Sequence, residues 1–216
     1  MVADIIEFLI RWMHALFGIA WIGLLYYFNF VQGEYLKQAA PEAATDVKAK
    51  LVPRALGWFR WAAMFTFISG LLLFGAIGHK HLTNNYIVVG ALLGTLMFLN
   101  VWLIIWPKQK IVLGLAEGDA ASAGPKAALA SRTNTLFSGP LVLFMLASPH
   151  LGYVQDHLLG NGGGGASSGL WLSIALVLVL EANVLFGKMG PMASIRGVIH
   201  MSLALAAALF CLLALL

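Results

Sequence analysis

Long runs of apolar residues, separated by shorter polar segments, dominate the pattern along this chain. Six runs approach or reach the roughly 20 residues that an α-helix needs to cross a bilayer, at residues 5–31, 55–77, 86–106, 132–150, 170–187 and 195–216. In lipid every backbone N–H and C=O must be paired within the protein, so runs of this length predict helices. The pattern therefore predicts a single domain over residues 1–216, an all-α integral membrane bundle of six helices.

Composition supports this class and excludes several others. The chain is 61% hydrophobic and 10% charged, whereas soluble domains average about 25% charged residues. Asp4 and Glu7 precede the first apolar run and no small-residue cleavage site follows it, so we interpret the run as a mature helix. The polar segments 32–54 and 108–131 contain no phosphate-binding loop and no extended basic run. A nucleic-acid partner is therefore not expected.

Basic residues are distributed unevenly between the two sides of the predicted bundle. If six helices alternate in direction, all of the 13 Lys and Arg residues except Arg11 and Lys80 fall on one side. Loops on the cytoplasmic side of a membrane carry such an excess. We therefore predict a multi-pass protein of the bacterial inner membrane with both termini on the periplasmic side.

Histidines gather toward the predicted periplasmic side, and one lies inside an apolar run. His14 is in the first span, where ionisable residues are rare and usually functional, and His150 ends the fourth span at a similar depth. Helical bundles bind cofactors through side chains on facing helices. One interpretation is a haem b whose iron is bound by His14 and His150, with His79 or His81 as alternative ligands. The other is a hydrogen bond from His14 to a neighbouring helix.

Two residues on the same helical face as His14 fit the haem interpretation. Arg11, three residues earlier, would pair with a haem propionate, and Gly18, four residues later, would leave space for a flat macrocycle. Glycine is also common where membrane helices pack closely. Gly18 therefore has a structural explanation as well.

A second polar set lies in the predicted cytoplasmic half. Asn100 and Glu181 each stand six residues before the end of their span, and His200 lies shortly after the start of the last span. Because Glu181 interrupts an apolar run, we expect it to be neutral or paired with a neighbour such as His200. A proton relay through Glu181, His200 and Asn100 is the functional interpretation. A structural hydrogen-bond cluster, or His200 as the ligand of a second haem, are the alternatives.

Four stretches of the sequence resemble the membrane domain of the bacterial cytochrome c-linked urate oxidases. They are HALFGIAWIGLLYYFNFVQ at residues 14–32, WAAMFT at 61–66, NVWLIIWPKQK at 100–110 and RTNTLFSGP at 132–140. The resemblance covers the first four predicted helices well and the last two only in general character. It implies a multi-helix membrane domain that oxidises urate and passes the electrons to a haem c domain.

The sequence departs from that pattern because no haem c domain follows the last predicted helix. Electrons are therefore expected to leave to a separate cytochrome c or to a larger membrane complex. We predict a haem b-binding membrane protein that transfers electrons or oxidises a small, urate-like molecule. Two histidine ligands would favour electron transfer, whereas an open iron position would favour substrate chemistry. The alternative is a cofactor-free accessory or structural subunit of a larger respiratory or photosynthetic complex, held among membrane lipids.

Overall fold

The computed structural model describes residues 1–80, 82–158 and 167–216, and it describes no side chains over 152–158. This part of the chain is almost entirely helical. Its α-helices are α1 Val2–Tyr26, α2 Gly33–Gln38, α3 Pro41–Asp46, α4 Val52–His79, α5 Asn85–Leu99, α6 Trp106–Val112, α7 Ala120–Leu158, α8 Ser168–Phe186 and α9 Ile195–Leu215. The wider π-helical segments Tyr27–Gln32, Val47–Leu51 and Asn100–Ile105 join consecutive helices, and a 3₁₀ turn at Gly190–Ala193 precedes α9.

Five helical stretches are long and apolar enough to cross a membrane. They are Val2–Gln38, Pro41–His79, Asn85–Val112, Ser168–Phe186 and Ile195–Leu215. Each contains or nearly coincides with one predicted span, so the all-α fold with helices able to cross a membrane is confirmed. The count of six is not confirmed. The predicted span at 132–150 lies inside α7, which does not meet the same standard over the described residues.

The position of α7 explains its lower hydropathy. It packs against α5, α6, α8 and α9, and Phe137 and Phe144 on it are fully buried. Thr133, Asn134 and Ser138 on the same helix are buried as well. A helix that is surrounded by protein can carry polar side chains that bond to its neighbours, whereas a lipid-facing helix cannot do so cheaply.

The helices α5, α6, α8 and α9 pack directly on α7, whereas α4 packs on α1 and α5. The outer helix α1 packs along α4, and α4 meets α5 where the rings of Phe67 and Phe98 stack with centroids 4.1 Å apart. Asn84, just before α5, donates to the backbone oxygen of Ser148 at 3.1 Å. Near the other end of α5, Asn134 donates to the backbone oxygen of Met97 at 2.9 Å. The helix α7 therefore runs antiparallel to α5 over the whole length of α5.

Local sequence determines where several helices begin. The side-chain oxygens of Asn84, Ser167 and Ser194 accept backbone N–H groups in the first turns of α5, α8 and α9. Such caps satisfy donors that have no partner inside the helix. Pro41 stands in the first turn of α3, where its missing N–H removes no helical bond. Pro53 and Pro107 each follow a π-helical segment directly, in the first turns of α4 and α6.

Candidate functional site

His14 packs against α4. Its Nδ1 lies 2.9 Å from the backbone oxygen of Thr66 and 3.1 Å from Oγ of Ser69. The Ser69 hydroxyl itself donates to the backbone oxygen of Phe65 at 2.6 Å. At this nitrogen, the structure therefore shows the hydrogen bond to a neighbouring helix that the sequence left as an alternative.

This contact determines which ring nitrogen of His14 carries the proton. A carbonyl oxygen can only accept, so we assign the proton of the neutral ring to Nδ1 and the lone pair to Nε2. Among the described residues Nε2 has no hydrogen-bond partner. Metal-bound histidines usually donate their other ring N–H to a carbonyl or carboxylate group. The bond to Thr66 thus leaves Nε2 able to bind a metal and is compatible with a ligand role.

Two glycines lie where α1 and α4 approach each other. A Cβ added to Gly70 would lie 3.0 Å from Cε1 of His14, so the glycine lets the ring reach the backbone of α4. A Cβ added to Gly18 would lie 3.9 Å from Cγ2 of Thr66, which is ordinary contact. Gly18 therefore faces α4, whereas the sequence-based interpretation placed the open space for a macrocycle there.

Arg11 already has an anionic partner. Its Nη2 donates to Oε1 of Glu7 at 2.7 Å, and the other oxygen of Glu7 accepts from Nζ of Lys80 at 2.5 Å. One carboxylate therefore links α1 to the end of α4. A haem propionate at Arg11 would have to share or displace this carboxylate.

The structure does not bring His150 into contact with His14. The hydrogen bonds between the first helix and α7 are at Tyr26 and Asn29, which follow His14 by about three turns or more. His150 is exposed on the part of α7 that lies beside the start of α5.

The two alternative haem ligands, His79 and His81, do not identify a second histidine beside His14 either. His79 is exposed at the last residue of α4, and His81 lies outside the described residues. The residues around His14 therefore fit one axial ligand of a haem b, since the ring is oriented and Nε2 is unpaired. In the described part of the chain no second histidine bonds to the same ring.

A cluster of three polar side chains occupies the interior of the bundle. Nδ2 of Asn100 donates to Oδ1 of Asn134 at 3.0 Å and to Oε2 of Glu181 at 3.2 Å. Asn134 donates in turn to the backbone oxygen of Met97. Asn100 and Asn134 are 1% and 0% exposed, and Glu181 is half-buried. The cluster connects α7 and α8 with the π-helical segment Asn100–Ile105.

His200 is not part of this cluster, and Glu181 has Asn100 as its described partner instead. The buried face of α9 is formed by Val198, Ser202 and Leu205. His200 follows Val198 by two residues, which is about 200° around the helix, and its side chain is exposed. The predicted pairing of Glu181 with His200 is therefore absent from the structure.

Basic and aromatic side chains meet near one end of the bundle. The Arg60 guanidinium lies 3.9 Å from the ring centre of Trp106 and 5.8 Å from that of Trp102. Among the described residues, Nε of Arg60, Nε1 of Trp102, Nη1 of Arg132 and Oε1 of Gln32 are buried without a hydrogen-bond partner. A bound water or small polar molecule would satisfy groups of this kind.

Sequence reasoning missed four residues that the structure places at these sites. Asn134 had a detectable signal, because it is an amide inside a predicted span and the same argument had selected Asn100. Thr66, Ser69 and Gly70 had none, since only the packing of α1 on α4 brings them to His14.

Comparison with known proteins gives one match. No curated protein and no solved structure matches the chain. The matching family model covers the end of α4 and all of α5, α6 and α7. It includes the stretches at 100–110 and 132–140, whereas those at 14–32 and 61–66 lie outside it. Residues 76–161 match the family described as urate oxidase N-terminal, which confirms over that part of the chain the resemblance found in the sequence.

Proposed function

We propose that this protein is a membrane oxidoreductase that binds haem b through Nε2 of His14 and oxidises a small, urate-like molecule, with a separate cytochrome c as electron acceptor. The observation that carries the proposal is the 2.9 Å contact between Nδ1 of His14 and the carbonyl oxygen of Thr66. It holds the ring in the tautomer in which Nε2 has the lone pair. The match to the urate oxidase N-terminal family supports the substrate class.

A bound haem b would supply one-electron redox chemistry. The residues of this chain would hold and orient it, through the imidazole of His14 and the α4 backbone behind it. If His14 were the one histidine bound to the haem iron, the iron could act on a substrate, which would favour oxidation over simple electron transfer. His150, with His79 or His81 as substitutes, would be the second ligand if the protein serves electron transfer instead.

The cluster around Glu181 supports a role in moving protons. Oxidation of a urate-like molecule releases protons as well as electrons. The half-buried carboxylate of Glu181, which accepts from Asn100 at 3.2 Å, would take them up. The participation of His200 stays a prediction from the sequence. The unpaired polar atoms of Arg60, Trp102 and Arg132 are donors that suit a small polar substrate.

We also propose six membrane crossings with both termini on the periplasmic side of the bacterial inner membrane. The support is the antiparallel course of α7 beside α5, from the Asn84–Ser148 bond to the Asn134–Met97 bond. The uneven distribution of Lys and Arg between the two sides agrees with this orientation.

The visible spectrum of the purified protein tests the proposal. The wild type should show a Soret band and an α band that appears on reduction. His14→Ala should lose both while the protein still inserts and elutes as a single species, and His150→Ala should keep them. Full haem retention in His14→Ala would refute the ligand assignment.

The other outcomes separate the alternatives. Haem loss in both variants, with a low-spin six-coordinate spectrum in the wild type, would indicate two histidine ligands and electron transfer. A colourless wild type that copurifies with other subunits would indicate an accessory role.

A further inference from the structure

A groove lies along α4, on residues that neither bond to His14 nor belong to the cluster of Asn100, Asn134 and Glu181, which we call the Asn134 cluster. It is open, about 570 Å³ in volume, and lined by Arg54, Gly57, Trp58, Trp61 and Phe65. Arg54, Trp58, Trp61 and Phe65 are three or four positions apart, so they form one stripe on the helix, and Gly57 lies beside it. Apart from Arg54 at one end, the lining is apolar or aromatic.

The shape of the groove is built into the packing. A Cβ added to Gly57 would meet nothing within 4 Å, so the glycine leaves a notch beside Trp58 and Trp61. The ring of Trp61 stacks on Phe65 with centroids 5.9 Å apart and meets Trp102 edge-on at 5.8 Å. One wall of the groove is therefore held in place by its neighbours, while Trp58 is 73% exposed.

The length of the groove matches one leaflet of a membrane. Arg54 and Phe65 are separated by about 16 Å along the helix axis, and half of a bilayer's hydrocarbon core is about 15 Å. Tryptophan side chains are enriched at the boundary between hydrocarbon and headgroups. The groove thus extends from the interface, where Arg54 and Trp58 lie, toward the middle of the membrane at Phe65.

We infer that this groove binds one anionic phospholipid, with its phosphate at Arg54 and an acyl chain in the notch at Gly57. Arg54 is exposed and forms no ion pair with a described residue. Its positive charge at the interfacial end complements an anionic headgroup, and the aromatic wall complements a chain. This site is independent of haem binding.

Lipid titration followed by native mass spectrometry tests the headgroup part of the inference. The purified protein is titrated with phosphatidylglycerol and with phosphatidylcholine of the same acyl chains. We expect the wild type to bind phosphatidylglycerol about fivefold more tightly, the effect of roughly one basic residue near an anionic lipid. Arg54→Gln should bind both lipids equally, whereas Arg196→Gln, which removes an exposed charge from the start of α9, should keep the preference.

A second pair of variants tests the notch. Gly57→Leu should weaken the binding of both lipids at this site by about tenfold, the effect of losing the contacts of roughly two buried methylene groups. Gly75→Leu, also on α4 and also with nothing within 4 Å of its added Cβ, should not weaken lipid binding.

Equal binding of the two lipids by the wild type, or unchanged binding by Gly57→Leu, would overturn the inference. So would displacement of lipid by an isoprenoid quinone without headgroup preference, which would assign the groove to a quinone. The haem spectrum should be unchanged in all four variants.

Discussion

The His14 contact and the Asn134 cluster are both made by polar side chains between helices, but they differ in what they leave unpaired. His14 bonds to α4 through Nδ1 alone, and Nε2 has no partner among the described residues. In the cluster, Asn134 both donates and accepts, and Asn100 joins it to Glu181. At the first site Nε2 of His14 is left for a ligand. At the second site the described hydrogen bonds join helices to one another.

The two sites also differ in how exposed the side chains around them are. The helix α1 that carries His14 exposes many large apolar side chains, among them Phe8, Trp12 and Ile19. In a membrane these face lipid, so His14 lies at the edge of the bundle between two helices. Asn134 lies on α7, beside the buried side chains of Leu136 and Phe137. A flat cofactor can approach the edge, whereas access to the centre is limited to protons and small molecules.

The largest effect on stability is expected for Asn134→Leu. The substitution removes the bonds to Asn100 and to the Met97 carbonyl, and interhelical hydrogen bonds in membranes contribute about 0.6 kcal/mol on average and up to about 1.7. The free energy of unfolding in mixed micelles should therefore fall by about 1–2 kcal/mol. Thr133→Val is the matched control, because among the described residues that hydroxyl bonds only to Leu129 of its own helix. An equal loss in both variants would contradict a bridging role for Asn134.

Glu181→Gln separates the structural role of the central cluster from a functional one. The amide oxygen of glutamine still accepts from Asn100, so stability and haem content should not change. If Glu181 accepts protons, turnover should slow by at least about tenfold, because a positioned acid or base contributes about 10²–10⁴-fold. Steady-state kinetics across a pH series measure this. Unchanged rates and an unchanged pH profile would remove Glu181 from the relay.

Gly70→Ala tests the close approach of the His14 ring to α4. The new Cβ would lie 3.0 Å from Cε1 of His14, so the ring must move away from α4. We expect a loss of stability of about 1 kcal/mol from overpacking, together with a shifted Soret band. Gly75→Ala on the same helix has nothing within 4 Å and should show neither change. Identical behaviour of the two variants would mean that the ring does not depend on this approach.

Ser69→Ala should have the smallest effect. It removes the hydroxyl that lies 3.1 Å from Nδ1 of His14 but leaves the Thr66 carbonyl in place. The expected loss of stability is about 0.5 kcal/mol, the lower end for one hydrogen bond, and the haem spectrum should be retained. A bleached Ser69→Ala protein would show that the hydroxyl, not the carbonyl, orients the ring.

The positions of the helices that expose apolar side chains could be predicted from the sequence, because lipid requires membrane-crossing helices to be long and apolar. Each of the five helical stretches able to cross a membrane contains or nearly coincides with one predicted span, although Pro41–His79 begins 14 residues before the predicted start at residue 55. The predicted fourth span was too short, since α7 continues through the polar residues 120–131, where no apolar run marks a helix. The search for apolar runs detects helices that contact lipid, so it does not give the full length of a helix that packs against other helices, such as α7.

The sites were less predictable than the spans. Depth estimated from sequence placed Asn100 and Glu181 together correctly, but the same estimate could not show that His200 points away from them. The direction of a side chain around its helix depends on which face packs, and α9 packs through Val198 and Ser202. The partners of His14 depend on a contact between α1 and α4 that no local pattern encodes.

The wide turns at Tyr27–Gln32 and Asn100–Ile105 make the bundle tolerant of a one-residue deletion at these two places. A π-helical turn accommodates one residue more than an α-helical turn. Deleting one residue there, other than Asn100 itself, would restore a regular α-helix and leave the residues that follow at nearly the same rotation about the helix axis. After the second segment Trp106 would therefore stay close to Arg60, which now lies 3.9 Å from its ring centre. A one-residue deletion inside a regular stretch such as α5 would instead turn everything after it by about 100°.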